Sequence, residues 1–184
     1  DIASVAYVTD GKSVYDARGW ASTTAKPVYS AGSETIRDLA FSRWAKGGVI
    51  HFGKACAGTG GRTPQMVFGG YPTRGNQAFQ IKMSGGPANA QAQLILGLSR
   101  QLWGTTPLPL SLSFMGAGGC NLHVSADVVL GMKTDAGGAI SFAAPVPNNA
   151  SLVGVHAMAQ FGLNDKGANA ANVIASDALE LVLR

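Results

Sequence analysis

The chain has 184 residues, a formal net charge of +4, 46% hydrophobic residues and only 13% charged ones. A length in the range of about 100–200 residues suits one domain, with or without an extension. Sparse charge with abundant apolar residues excludes intrinsic disorder, because enough surface can be buried to offset chain entropy, and the 25 glycines argue against a helical protein.

Along the chain an alternation with period two dominates, the pattern of half-buried strands. The first candidate strands, at residues 4–9 and 25–30, are polar and rich in Ser and Thr. Residues 33–46 hold the one candidate helix, with Ser33 as N-cap, Ile36, Leu39, Ala40 and Arg43 as a stripe, and Gly47-Gly48 as its stop. From residue 47 onward every candidate strand has an apolar face: 48–52, 65–68, 78–84, 90–96, 110–114, 121–125, 128–133, 139–144, 153–161 and 178–183. In 153–161, Val153, Val155, Ala157, Ala159 and Phe161 share one face while His156, Met158 and Gln160 share the other. Turns rich in Gly, Pro and Asn separate these runs at 69–72, 85–87, 134–138 and 147–149. Many short strands joined by such turns predict an all-β protein, an antiparallel β-sandwich with jelly-roll-like connections. The shift in character predicts an N-terminal extension over 1–46 and the sandwich over 47–184.

Cys56 and Cys120 are the only cysteines. Both lie in Gly-rich turn sequence without CxxC spacing, which predicts a disulfide and an oxidising, extracellular or cell-surface location; two buried free thiols are the alternative. The sequence opens on Asp1 with neither an initiator Met nor a basic-then-apolar leader, the pattern that removal of a signal peptide leaves. No window approaches the ~18 consecutive apolar residues of a membrane helix, so no membrane span is expected. Residues 39–126 carry seven bases (Arg43, Lys46, Lys54, Arg62, Arg74, Lys82 and Arg100) and no Asp or Glu. Either these bases share a cationic face, or strands from all parts of the chain interleave and dilute the asymmetry, which is the expected outcome. No two of the bases are adjacent and no aromatic-interleaved cluster occurs, so nucleic acid is not an expected partner.

The succession Cys56-Ala-Gly-Thr-Gly-Gly-Arg-Thr-Pro, Gly69-Gly-Tyr-Pro-Thr-Arg-Gly-Asn, Gly116-Ala-Gly-Gly-Cys-Asn-Leu-His-Val-Ser, Pro145-Val-Pro-Asn-Asn-Ala-Ser-Leu-Val-Gly and Gly162-Leu-Asn-Asp-Lys-Gly-Ala-Asn resembles a C-terminal β-sandwich module of large secreted proteins from planctomycetes and related bacteria. The likeness covers residues 54–184 and rests on motif order, with no catalytic signature among the motifs. It implies an extracellular, disulfide-linked β-sandwich without an established activity. Residues 1–53 lie outside it.

Catalytic patterns are weak. A serine hydrolase needs a Gly-x-Ser-x-Gly elbow, and Gly97-Leu-Ser99-Arg-Gln101 lacks the closing glycine. Glycosidase chemistry needs two carboxyls facing one bond; beyond Asp38 the acids are Asp127, Asp135, Asp165, Asp177 and Glu180, which read as solvated charges in turns and on a terminal strand. Gly58-Thr-Gly60-Gly61 runs into Arg-Thr-Pro instead of a helix and reads as a turn, not as a dinucleotide fingerprint. His51, His123 and His156 are scattered and read as surface residues, so neither a metal site nor a cofactor is expected. Loop 164–172 is rich in oxygen donors without the EF-hand order; turn formation accounts for it, with calcium as the alternative. Asn149-Ala-Ser151 fits a glycosylation sequon.

Arg62, Arg74, Lys82, Arg100 and Trp103 are the candidate contacts for a polyanion or glycan, weighed against a reading in which Trp20, Trp44 and Trp103 anchor the core. The expectation is a secreted, non-enzymatic structural or adhesive protein. It would self-assemble through a sheet edge and the N-terminal extension into a homo-oligomer or polymer, as a fibre or surface layer. A module binding acidic extracellular polysaccharide is the second class, and a hydrolase the third.

Overall fold

The structure is a computed structural model that describes residues 48–184 and, before them, the backbone of three short strands. The chain divides into two compact units, Asp1–Ala45 and Lys46–Arg184. In the first, β1 (Tyr7–Thr9), β2 (Ser13–Asp16) and β3 (Pro27–Ser30) form an antiparallel sheet in that order. The candidate helix at 33–46 lies outside the described residues, as do Trp20 and Trp44.

The second unit is an antiparallel β-sandwich. Its main sheet has the order β12 (Val128–Lys133), β7 (Gln91–Gly97), β14 (His156–Asn164), β15 (Val173–Val182) and β4 (Gly48–Phe52). The smaller sheet has the order β13 (Ile140–Ala143), β6 (Gln80–Ser84) and β5 (Gln65–Gly69). All pairings are antiparallel. β6 pairs with β13 in one sheet while the intervening β7 and β12 pair in the other, which is the nested, jelly-roll-like part of the connection. β5–β6 and β14–β15 are simple sequential hairpins.

Between the sheets lies the principal core. Met66, Ile81, Met83 and Ile140 from the small sheet meet Ala92, Leu94, Ala159, Phe161, Leu163, Ile174, Leu179 and Leu181 from the large one. Alternation explains the choice: in β14, Ala157, Ala159, Phe161 and Leu163 point into this core, and Met158 points the other way. Val153 and Val155 precede the strand and are exposed, so only the later part of the face read from 153–161 is buried.

The opposite face of the main sheet is covered as well. There Leu122, Val124, Met158 and Ala178 pack with Phe52, Ile95, Leu108 and Leu110 in a second cluster. The cover comes from residues 98–127, which hold β8 (Leu102–Trp103) paired with β9 (Thr106–Pro107), and β10 (Leu110–Ser111) paired with β11 (Asn121–Leu122). A 3₁₀ turn, Leu112–Met115, separates the latter two, with Ser111 Oγ accepting the Ser113 N–H at its start. Gly97 is required where this layer meets the sheet: a Cβ there would lie 2.1 Å from the Ser125 carbonyl oxygen. Burial on both faces makes β15 nearly all interior along its ten residues.

Cys56 and Cys120 form a disulfide that ties the segment after β4 to the turn before β11, 64 residues away in sequence. Cys56 N–H donates to the Ala175 carbonyl, and Cys56 Sγ in turn accepts the Ala175 N–H, both at 3.0 Å. The bridge is thus seated directly on β15.

Candidate functional site

The five candidate contact residues do not share one face. Lys82 lies on β6 in register with Val67 and Ser141; since Ile81 and Met83 point into the core, Lys82 points outward from the small sheet. Arg62 precedes β5 and Arg74 lies in the turn that follows it. Arg62 borders a shallow depression of about 280 Å³ lined mainly by Thr63, Gly85, Gly86 and Gly137. Arg74 sits in the loop where its N–H donates to the Arg184 carbonyl. Arg100 and Trp103 belong to the layer on the far side of the main sheet. The five residues thus stand at separate positions on the second unit.

Arg100 is also committed to an internal partner. Its guanidinium reaches Glu180 at 3.1 Å and lies 5.5 Å from the Phe52 ring centroid, while the second Glu180 oxygen takes His156 Nδ1 at 2.7 Å. Glu180 itself is buried. On the other face of β15, Asp177 accepts the Met66 N–H with one oxygen, at 2.6 Å, and meets His51 Nδ1 at 2.9 Å with the other. Residues of the acid-free block, His51 and Arg100, thus stand beside acids from the last strand, because β4 and the 98–127 layer both pack on β15. Within the second unit the acid-free block and the later, acid-bearing part of the chain interleave; the described strands before residue 46 form a sheet of their own.

Three readings of polar residues need correction. Glu180 and Asp165 are not solvated charges: both are buried, and Asp165 Oδ2 accepts the Thr59 N–H at 2.8 Å. His123 is not a surface histidine. It is buried, with Nε2 3.2 Å from Lys54 N and 3.1 Å from Lys54 O, and its ring meets Phe52 edge-on. Trp103 does not anchor the core, being 42% exposed next to exposed Leu102. The sequence held no local signal for the first two, because their burial comes from strands distant in the chain.

Gln160, placed by the sequence only on the polar face of its strand, is a fully buried residue whose side chain makes three hydrogen bonds. Its Oε1 accepts the His123 N–H at 2.8 Å, and its Nε2 donates to the Asn121 and Ser176 carbonyls at 3.0 and 2.8 Å. It fastens β11 and the residues after it to the main sheet. In loop 164–172 the oxygen donors are used locally: Asn169 Oδ1 accepts the Val173 N–H and Asn172 Oδ1 accepts the Gly167 N–H. These contacts fit turn formation.

The other candidate is a sheet edge. Among the described residues β12 borders one side of the main sheet and pairs only with β7. Its sequence, VVLGMK, has one charge, at its end, and no proline, and Val128 and Val129 are 49% and 48% exposed. Edges are normally blunted by charge, proline or a cover, and a long apolar one is a template for a further strand. The β5 edge differs, since Asp177 occupies the Met66 N–H. Comparison with protein-family models, curated proteins and solved structures returned no match to this chain.

Proposed function

We propose that this chain is a self-associating structural module of an extracellular assembly, which presents sheet edges and performs no chemistry. The apolar edge of β12, which among the described residues pairs on one side only, carries the reading. The disulfide supports an oxidising compartment, in keeping with the likeness of residues 54–184 to modules of secreted proteins. The use of both Asp177 oxygens and both Glu180 oxygens inside the fold supports structural roles for those acids. A fibre or layer needs a second, different contact besides the edge, and residues 1–46 are the proposed source. Sedimentation velocity on the full chain at rising concentration should show mass growing beyond that of one chain. A monomer throughout overturns the proposal.

One observation favours a second reading, glycan binding. Trp103 stands exposed at a hairpin with Leu98 and Leu102, an arrangement on which a sugar ring can stack. Retention on an immobilised acidic polysaccharide that falls as salt rises, and that Trp103→Ala abolishes, is its expected signature. Equal retention of the variant removes it.

A further inference from the structure

Resting on the self-association reading, we propose that β12 pairs antiparallel with β12 of a second copy about a twofold axis through Leu130, joining the two main sheets into one. Thr134 N–H donates to the Ala90 carbonyl at 2.9 Å on the β7 side. Along the antiparallel ladder the backbone groups point alternately to either side, so within β12 those of Val129, Gly131 and Lys133 point away from β7; the alternation stops at Asp127, whose N–H also turns to β7 and donates to the Leu96 carbonyl at 3.1 Å. They are the ones a second strand would meet.

The segment is complementary to its own reverse. With Leu130 opposite Leu130 of the second copy, Val129 opposes Gly131, Val128 opposes Met132, and Asp127 opposes Lys133. Val129 and Gly131 then exchange N–H···O bonds across the axis. The apolar residues Val128, Leu130 and Met132 line one face, continuous with the principal core that Leu130 and Met132 already border. At each end Lys133 of one copy comes to Asp127 of the other; both are exposed, and Asp127 Oδ2 already accepts the Leu98 N–H and the Ser125 hydroxyl, each at 2.9 Å, so any pairing there is a minor part of the contact. Gly131 leaves room for the valine opposite, and a Cβ at that position would touch nothing within 4 Å in its own chain. A contact of this kind uses the same patch on both partners and closes as a dimer.

The test uses the full chain, whose only two cysteines are bonded to each other, so that one added cysteine is the only thiol. Leu130→Cys should form a disulfide-linked dimer with oxidised glutathione, since the opposed residues form a non-hydrogen-bonded pair whose Cα atoms lie about 4.5 Å apart. Val128→Cys and Met132→Cys should each cross-link poorly alone and efficiently when mixed. Gly131→Pro removes an N–H that the β7 ladder does not use, and should abolish this dimer while leaving the far-ultraviolet circular dichroism unchanged. Lys133→Glu should weaken dimerisation about tenfold by setting acid against acid. Full-length protein that associates without the Leu130 and mixed Val128/Met132 cross-links overturns the register and leaves self-association standing. Association lost in Gly131→Pro without those cross-links means that another strand, such as one from residues 1–45 of a neighbour, occupies the edge, and also overturns it. A chain that stays monomeric at every concentration overturns both.

Discussion

Gln160 shows how one side chain can hold a layer in place. Its amide satisfies three backbone groups, two of them from the segment that covers the main sheet and one from β15. Replacement by leucine keeps the volume and strands those groups without partners in a dry interior, where each missing bond costs about 1–3 kcal/mol. Gln160→Leu should therefore lower unfolding free energy by at least about 3 kcal/mol, read from the urea midpoint, while exposed Ser141→Ala stays within about 0.5 kcal/mol. The alternation read in 153–161 places Gln160 on the face away from Ala159 and Phe161, and the sequence makes that much legible. That the polar side would also be buried was not, because its cover comes from residues some forty positions earlier. The same holds for His123 and Glu180, whose neighbours Lys54 and Arg100 are remote in sequence.

Several strands of the second unit were legible from alternation, while the candidates at 110–114 and 121–125 are strand only over Leu110–Ser111 and Asn121–Leu122, and that at 153–161 runs instead from His156 to Asn164. β4 and β12 have the limits expected from the pattern, and β5, β6, β7 and β13 differ by a residue or two at their ends. β15 begins five residues earlier than its apolar run at 178–183 suggests. Ser176 and Asp177 hide the continuation, the first using its hydroxyl to accept the Phe161 N–H beside a bulge and the second holding the β5 edge. The two-residue strands β8 and β9 are too short to show a period. The disulfide belongs to this scale, since it joins two loops across β15. Closing a loop of 64 residues restricts the unfolded chain by about 4 kcal/mol on the loop-entropy estimate. Reduction, or Cys56→Ser with Cys120→Ser, should lower the calorimetric Tm by roughly 10–15 °C. A shift of only a degree or two would mean that the β15 contacts alone hold these loops.

For the whole molecule, charge and edge exposure are the properties that bear on partners. The acid-free stretch of the sequence does not become a cationic wall, because β4 and β7 alternate in space with β12, β14 and β15 from the later, acid-bearing part of the chain. Among the described residues, one surface suited to a partner is the apolar margin of β12, where Val128 and Val129 are exposed. By itself the sequence determined the all-β class and the single possible disulfide pairing, since period-two alternation, glycine-rich turns and the cysteine count are local properties. Only the tertiary structure decided which polar residues are interior, how the basic residues are dispersed and which strand borders the sheet. Those depend on which distant segments come to lie side by side, and neither alternation nor composition specifies strand order.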